Sequence, residues 1–392
     1  VMLASVDMGY GHLRAAAALG DHLGQQVVRV DEPPHAAPWE AREWRQTKAT
    51  YELLSRLSQT PVVGGPFRGF LQRLTSVDPV VPGRWPGSGV RRLDRLIERG
   101  FGKLMAAELD IARRALVTTF YAPALAADRH ASVPVTCVVT DTVIHRIWAP
   151  LHPEQTRIRY LVPAPATRDR LLAFGVPDAN ITVTGFPLPP SLDNRAAELL
   201  ANRLARLRAE GSASPVLTLA IGGAGAQADR ARRLVRSLKH DLLAGRWRLA
   251  LVAGTRIRLG ERFRELCRRE LGDRAGLVEI IAEPEFDAAY RRFNELLERT
   301  DVLWTKPSEL VFYAALGLPL VLDEAVGDHE NANARWILQA GAGVRRPAFG
   351  RIATQLARWH HDGVLAECAR KAFAGLPRGA TKRIVNDVFK VS

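Results

Sequence analysis

Between Asp301 and Gly343 the chain leaves few folds open. Asp301 to Trp304 is a short apolar run, and Lys306-Pro307-Ser308-Glu309 makes the turn after it. An apolar helix is then expected from Glu309 to Leu316, stopped by Gly317, with the next strand at Leu318 to Leu322. A polar loop from Asp323 to His329 leads into a second helix whose first turn carries Glu330, Asn331 and Asn333. Short runs without polar alternation, joined through helices, belong to a buried parallel sheet. Two helix N-termini would then point from the carboxyl ends of neighbouring strands into one crevice. Open α/β sheets take ligands there, and free backbone N–H groups attract phosphate. Each helix taken alone also fits an ordinary βαβ unit with solvated polar caps.

The same rhythm runs through most of the chain. Val1 to Val6 reads as a strand, followed by the loop Asp7-Met8-Gly9-Tyr10-Gly11-His12 and a small-residue helix to Leu23. Further strands are expected at Val27 to Val30, Ala115 to Thr119, Val135 to Val139, Arg159 to Val162 and Ile181 to Thr184. The prolines of Gly185 to Pro190 make a stiff boundary. A helix from Leu192 to Ala209 opens the second half, with strands at Val216 to Ile221, Arg248 to Ala253 and Leu277 to Ile281. Gly222, Gly223 and Gly225 with Gln227 form a glycine loop before an arginine-rich helix, a phosphate cradle in physical terms or a plain tight turn. Gly254-Thr255-Arg256 offers a cation beyond the next strand. The fold expected is α/β, with two Rossmann-like, doubly wound domains facing across a cleft, residues 1–190 and 191–375. A dinucleotide fingerprint is excluded at Gly9 and Gly11, because its third glycine is absent.

Residues 38–103 break the rhythm and read as a helical insertion. Trp39, Trp44, Phe67, Phe70, Trp85 and Phe101 are interleaved there with Arg68, Arg73, Arg84, Arg91, Arg92, Arg95, Arg99 and Lys103. That mixture fits interfacial membrane contact, or a helical layer packed on its own sheet. The net charge of +14 suits an anionic membrane face or a phosphorylated substrate, with nucleic acid ranked behind them. Arginine outnumbers lysine along the whole chain, which also fits a compositional bias. No apolar run approaches the roughly 20 residues of a membrane span. Cys137, Cys267 and Cys368 are too scattered for a disulfide framework or a zinc site. Together with a first strand that leaves no room for a signal peptide, this gives the expectation of a cytoplasmic protein, peripheral on the inner membrane face.

These parts, in this order, resemble the GT-B glycosyltransferases. The likeness is to monogalactosyldiacylglycerol synthases and to the lipid-linked N-acetylglucosaminyltransferase of peptidoglycan synthesis. Gly317-Leu318-Pro319, Glu330, Asn333 and Gly341-Ala342-Gly343 match their nucleotide-sugar half. His12 falls on the histidine of their opening glycine loop, and Val139, Thr140, Asp141, His145 and Trp148 match a V-T-D…H-P-T-W segment. Lys306 to Glu309 departs from the glycine-rich loop these families carry there. The resemblance implies transfer from a nucleoside-diphosphate sugar, UDP-sugar above all, to a hydroxyl of a small-molecule or lipid acceptor. It also implies inversion, and residues 376–392 forming a helix that crosses back to the first domain.

In that frame His12 is the general base, with Asp141 or His145 in support, beside the acceptor-side glycines Gly9 and Gly11. Gly222, Gly223 and Gly225, with Arg256 and Lys306, would hold the diphosphate, and Gln227 and Ser308 complete the donor site. Glu309 would meet ribose hydroxyls, and Glu330, Asn331 and Asn333 would face the sugar. No metal set is visible, so no essential metal and no cofactor beyond the co-substrate are expected. Three other functions fit the same features. They are a nucleotide-sugar epimerase or hydrolase, a nucleic-acid-modifying glycosyltransferase, and a non-catalytic nucleotide-sugar binding protein.

Overall fold

The computed structural model describes residues 1–57, 87–208, 214–221, 228–325 and 327–389. Among the described residues twelve strands form two sheets, and every pairing among them is parallel. The first holds β1 (Met2–Ser5), β2 (Val28–Arg29), β3 (Leu116–Thr118), β4 (Val135–Val138), β5 (Arg159–Val162) and β6 (Ile181–Val183), in the order β2-β1-β3-β4-β5-β6. The second holds β7 (Val216–Ala220), β8 (Arg248–Gly254), β9 (Val278–Ala282), β10 (Val302–Thr305), β11 (Leu320–Leu322) and β12 (Gly343–Arg345), in the order β12-β11-β10-β7-β8-β9. Each order reverses once, between β1 and β3 in the first sheet and between β7 and β10 in the second. Ligands of doubly wound sheets sit at such a switch point, beyond the carboxyl ends of the strands. Two sheets of this kind make the GT-B architecture.

Alternation along the strands sends side chains to both faces. In the first sheet Met2, Ala4, Leu116, Cys137 and Tyr160 enter one core, with Trp39 and Trp44 packed against it. Leu3, Val117, Val138 and Leu161 enter the other, whose cover is Leu19 of α1 (Tyr10–Leu23) together with Ala380, Ile384 and Val388. Those three belong to the last helix, Ala380–Phe389, which returns from the second domain to close the first sheet. Arg383 donates to the Thr184 carbonyl at 2.7 Å, and Arg159 pairs with Asp387 at 2.6 Å.

The structure refines two expectations and breaks one. Glu309–Leu316 is a helix with the expected bounds, and it is of the 3₁₀ type. It rises about 2.0 Å per residue against 1.5 Å, so eight residues reach further along the sheet. The helix expected from Leu192 to Ala209 is broken into Pro190–Asp193 and Ala196–Arg206, since Asp193 turns to accept the Gly379 N–H at 2.8 Å. In the insertion Trp39, Trp44 and Phe101 face inward: Trp44 lies 5.4 Å from Phe101 and 5.9 Å from Phe120, ring to ring. Phe67, Phe70, Trp85, Arg68, Arg73 and Arg84 lie outside the described residues. No helix among the described residues is long and apolar enough to cross a membrane.

Candidate functional site

His12 is brought to the switch point of the first sheet by β1. Gly9, at φ 133°, makes the turn into α1, a backbone shape that side chains other than glycine resist. His12 Nδ1 lies 2.8 Å from the Thr119 carbonyl at the end of β3, and 3.0 Å from Thr140 Oγ1 beyond β4. A carbonyl only accepts, so Nδ1 carries the proton and Nε2 keeps its lone pair. Thr119 in turn donates to the His12 carbonyl at 2.9 Å, which fixes the turn from both sides. The ring stands edge-on to Phe120, with centroids 4.6 Å apart, and Trp148 lies at 6.2 Å. Burial among these rings lowers the His12 pKa below its ordinary 6.5, while Asp141, the Thr119 carbonyl and Glu309 pull it back up. The result is a neutral imidazole with one open nitrogen and a carboxylate nearby.

Asp141 and His145 follow β4. Asp141 acts on both histidines, and it raises the affinity of each for a proton. The His145 pKa is lowered, first by burial and then by His329 of the second domain. His329 is therefore part of the cleft, which sequence reasoning missed. Thr167 donates to the Thr142 carbonyl at 2.8 Å and Arg170 to the Ile144 carbonyl at 2.8 Å, so the segment between Asp141 and His145 is held in place.

The second domain faces this site with the loops after β8, β10 and β11. Glu309 begins the 3₁₀ helix, and a Cβ added at Gly11 would sit 3.1 Å from its Cβ. Arg14 Nε lies 3.7 Å from Glu309 Oε1. Lys306 and Glu330, expected to serve diphosphate and sugar separately, form one ion pair at 2.7 Å with both side chains largely buried. The structure matches each charge with the other, because neither is left to stand alone in a low-dielectric interior. Asn333 is also engaged at both ends: Nδ2 donates to the Pro307 carbonyl at 3.0 Å, and Oδ1 accepts from Thr142 of the first domain. Asn331 is exposed, on the opposite side of its helix from Glu330 and Asn333. Ser308 caps no N–H with its side chain. Arg256 stands at the N-terminus of the helix Ile257–Leu271. Gly222, Gly223, Gly225 and Gln227 lie outside the described residues.

Tyr10 and Arg14 were also missed. The Tyr10 hydroxyl accepts the Thr255 N–H at 2.9 Å and lies 2.7 Å from Thr255 Oγ1, over Gly254, where a Cβ would collide with it at 2.6 Å. The signal for both was available as helical spacing, since positions 10 and 14 share a face of α1 that His12 does not. Among the described residues no group of three His, Cys, Asp or Glu side chains could hold a metal ion.

Comparison with known proteins finds the following likenesses. A family model described as a domain of unknown function (DUF6938) matches residues 255–346. A processive diacylglycerol beta-glucosyltransferase of Bacillus subtilis (strain 168) is 24% identical over 214 residues, covering 54% of this chain and 50% of the relative. The chain thus matches about half the length of such curated relatives. Among solved structures, a glycosyltransferase from Rickettsia africae gives a TM-score of 0.48 at 10% identity, over 99% of this chain and 97% of that one. A UDP-GlcNAc 2-epimerase from Neisseria meningitidis, bound to UDP-GlcNAc, gives 0.48 at 14% identity, over 78% and 83%. The chain has the GT-B fold and is similar in sequence to the diacylglycerol beta-glucosyltransferases.

Proposed function

We propose that this protein is a glycosyltransferase that moves a sugar from a UDP-sugar to a hydroxyl of a lipid acceptor, with inversion and without an essential metal. The observation that carries the reading is His12, with Nδ1 tied to a carbonyl and Nε2 open at the switch point of the first sheet. Nε2 takes the acceptor proton as the hydroxyl oxygen bonds to the anomeric carbon. The bond from that carbon to the diphosphate breaks, and its electron pair leaves with the UDP oxygen. The helix N-terminus beyond β8, with Arg256 at its cap, offsets the charge that develops there. Asp141 steadies the imidazolium that forms.

Two features support a lipid acceptor. The rings of Trp44, Phe120, Tyr121 and Trp148 make an apolar wall around His12. The helix Lys103–Ile111 exposes Leu104 and Ile111, with exposed Lys103, Arg113 and Arg114 beside them, which suits an anionic membrane face. The test supplies UDP-glucose with diacylglycerol in mixed micelles and follows glycolipid by mass spectrometry. Transfer is expected, and His12→Ala should lower it about 10²–10⁴-fold while UDP affinity changes little. Donor consumed equally without acceptor would replace this reading with an epimerase or hydrolase. Loss of UDP affinity along with the rate would move the base to Asp141 or His145.

A further inference from the structure

One face of α1 belongs to the second domain. Tyr10, Arg14 and Asp21 stand at i, i+4 and i+11, within one stripe of the helix. Tyr10 meets Thr255, the Arg14 guanidinium lies 4.3 Å from the Phe293 ring centre, and Asp21 accepts from the Tyr290 hydroxyl at 3.1 Å. His12 projects from the opposite side and is held by Thr119 and Thr140 of its own domain. Helix α1 is thus a rigid bar, with the candidate base on one side and the second domain on the other.

Arg14 does not fit a merely structural part. The residue is 6% exposed, yet Nε and Nη1 have no hydrogen-bond partner. Glu309 Oε1, at 3.7 Å from Nε, is beyond hydrogen-bond range. The Tyr313 hydroxyl is buried beside it with no partner at full hydrogen-bond geometry, and Arg14 lies close enough to act on it both by charge and as a hydrogen-bond donor. Unmet donors on a buried guanidinium are among the costliest arrangements an interior holds. Glu309 is confined from the other side by Gly11. Its side chain is held between α1 and the turn after β10.

We propose that Arg14 is a positioning residue: it sets the Glu309 carboxylate for the nucleotide and ties that contact to the helix bearing His12. The inference rests on the nucleotide-sugar reading above. A small closing rotation of the domains brings Nε and Nη1 into a two-point pair with Glu309, with the Tyr313 hydroxyl beside it. The planar fork of arginine matches a carboxylate in that way, and a lysine does not. Nucleotide bound at the β7/β10 switch point favours the closed arrangement, and the completed pair favours the nucleotide in return.

The test is calorimetric titration of UDP into wild type, Arg14→Lys, Arg14→Gln, Glu309→Gln and the Arg14→Gln/Glu309→Gln double variant, with the melting temperature of each taken without ligand. Each single variant is expected to bind UDP about ten- to a hundredfold more weakly, the scale of a hydrogen bond to a charged group. Arg14→Lys should not restore affinity. The double variant should be no weaker than the worse single one, because the two residues act as a unit. Gly11→Ala crowds Glu309 without touching either charge and should weaken UDP too, so the result does not depend on Arg14→Gln folding. Single variants that bind like wild type, or a double variant whose loss is the product of the two, overturn the positioning role alone. Wild type that fails to bind UDP overturns the nucleotide-sugar reading beneath it.

Discussion

His12 shows how far one residue can be read from sequence. A histidine after a glycine turn at a strand's end was legible as a candidate base, but its tautomer was not. That depends on Thr119, more than a hundred residues away, whose carbonyl accepts a hydrogen bond from the Nδ1–H. The lowered pKa has a measurable sign. His12 is neutral above its folded pKa and loses base function as pH falls through it. If His12 is the base, the acid limb of the kcat/KM profile is expected below pH 6.5, the unperturbed value. Asp141 raises the proton affinity of His12, so Asp141→Asn should move that limb to still lower pH. A limb unmoved by Asp141→Asn would show that another group titrates.

Local elements were legible where glycine and helical period agree. Gly317 ends the 3₁₀ helix at φ 70°, and a Cβ there would sit 2.6 Å from Leu200. The carbonyls of Leu316 and Gly317 are then taken by Arg203, each at 2.9 Å, which satisfies the end of the helix. Gly317→Ala is expected to cost about 1–3 kcal/mol in chemical denaturation, from left-handed strain and overpacking. A change below about 0.5 kcal/mol would mean that the turn relaxes freely. The helix Asp328–Gln339 carried a signal that was passed over. Glu330, Asn333, Ala334 and Ile337 fall at i, i+3, i+4 and i+7, the inward stripe, and all four are buried. Asn331 lies off that stripe and is exposed.

The whole molecule is held by what crosses between its domains. The last helix completes the first sheet's second face, with Ile384 only 1% exposed among Leu3, Leu19, Val117 and Leu161. Ile384→Ala should therefore destabilise the first domain by about 2–5 kcal/mol, seen as earlier loss of protection of the amides of β1, β3 and β4 in hydrogen exchange. Loss confined to the last helix would show that the first sheet stands without its cover. Thr142 to Asn333, Tyr10 to Thr255 and Arg14 beside Glu309 also cross between the domains.

The sequence by itself determined the two runs of buried parallel strands, the turns that end them and the carboxyl-edge loops that carry polar residues. Each of these follows from neighbours along the chain: apolar period, glycine, proline and helix caps. Only the tertiary structure decided which polar and charged groups meet. Lys306 with Glu330, Thr142 with Asn333 and Arg14 beside Glu309 join residues from 24 to 295 positions apart. Pairing of that kind depends on the order of strands and the docking of two domains. No local pattern encodes either, and a low-dielectric interior makes a matched partner for each charge decisive once the domains have met.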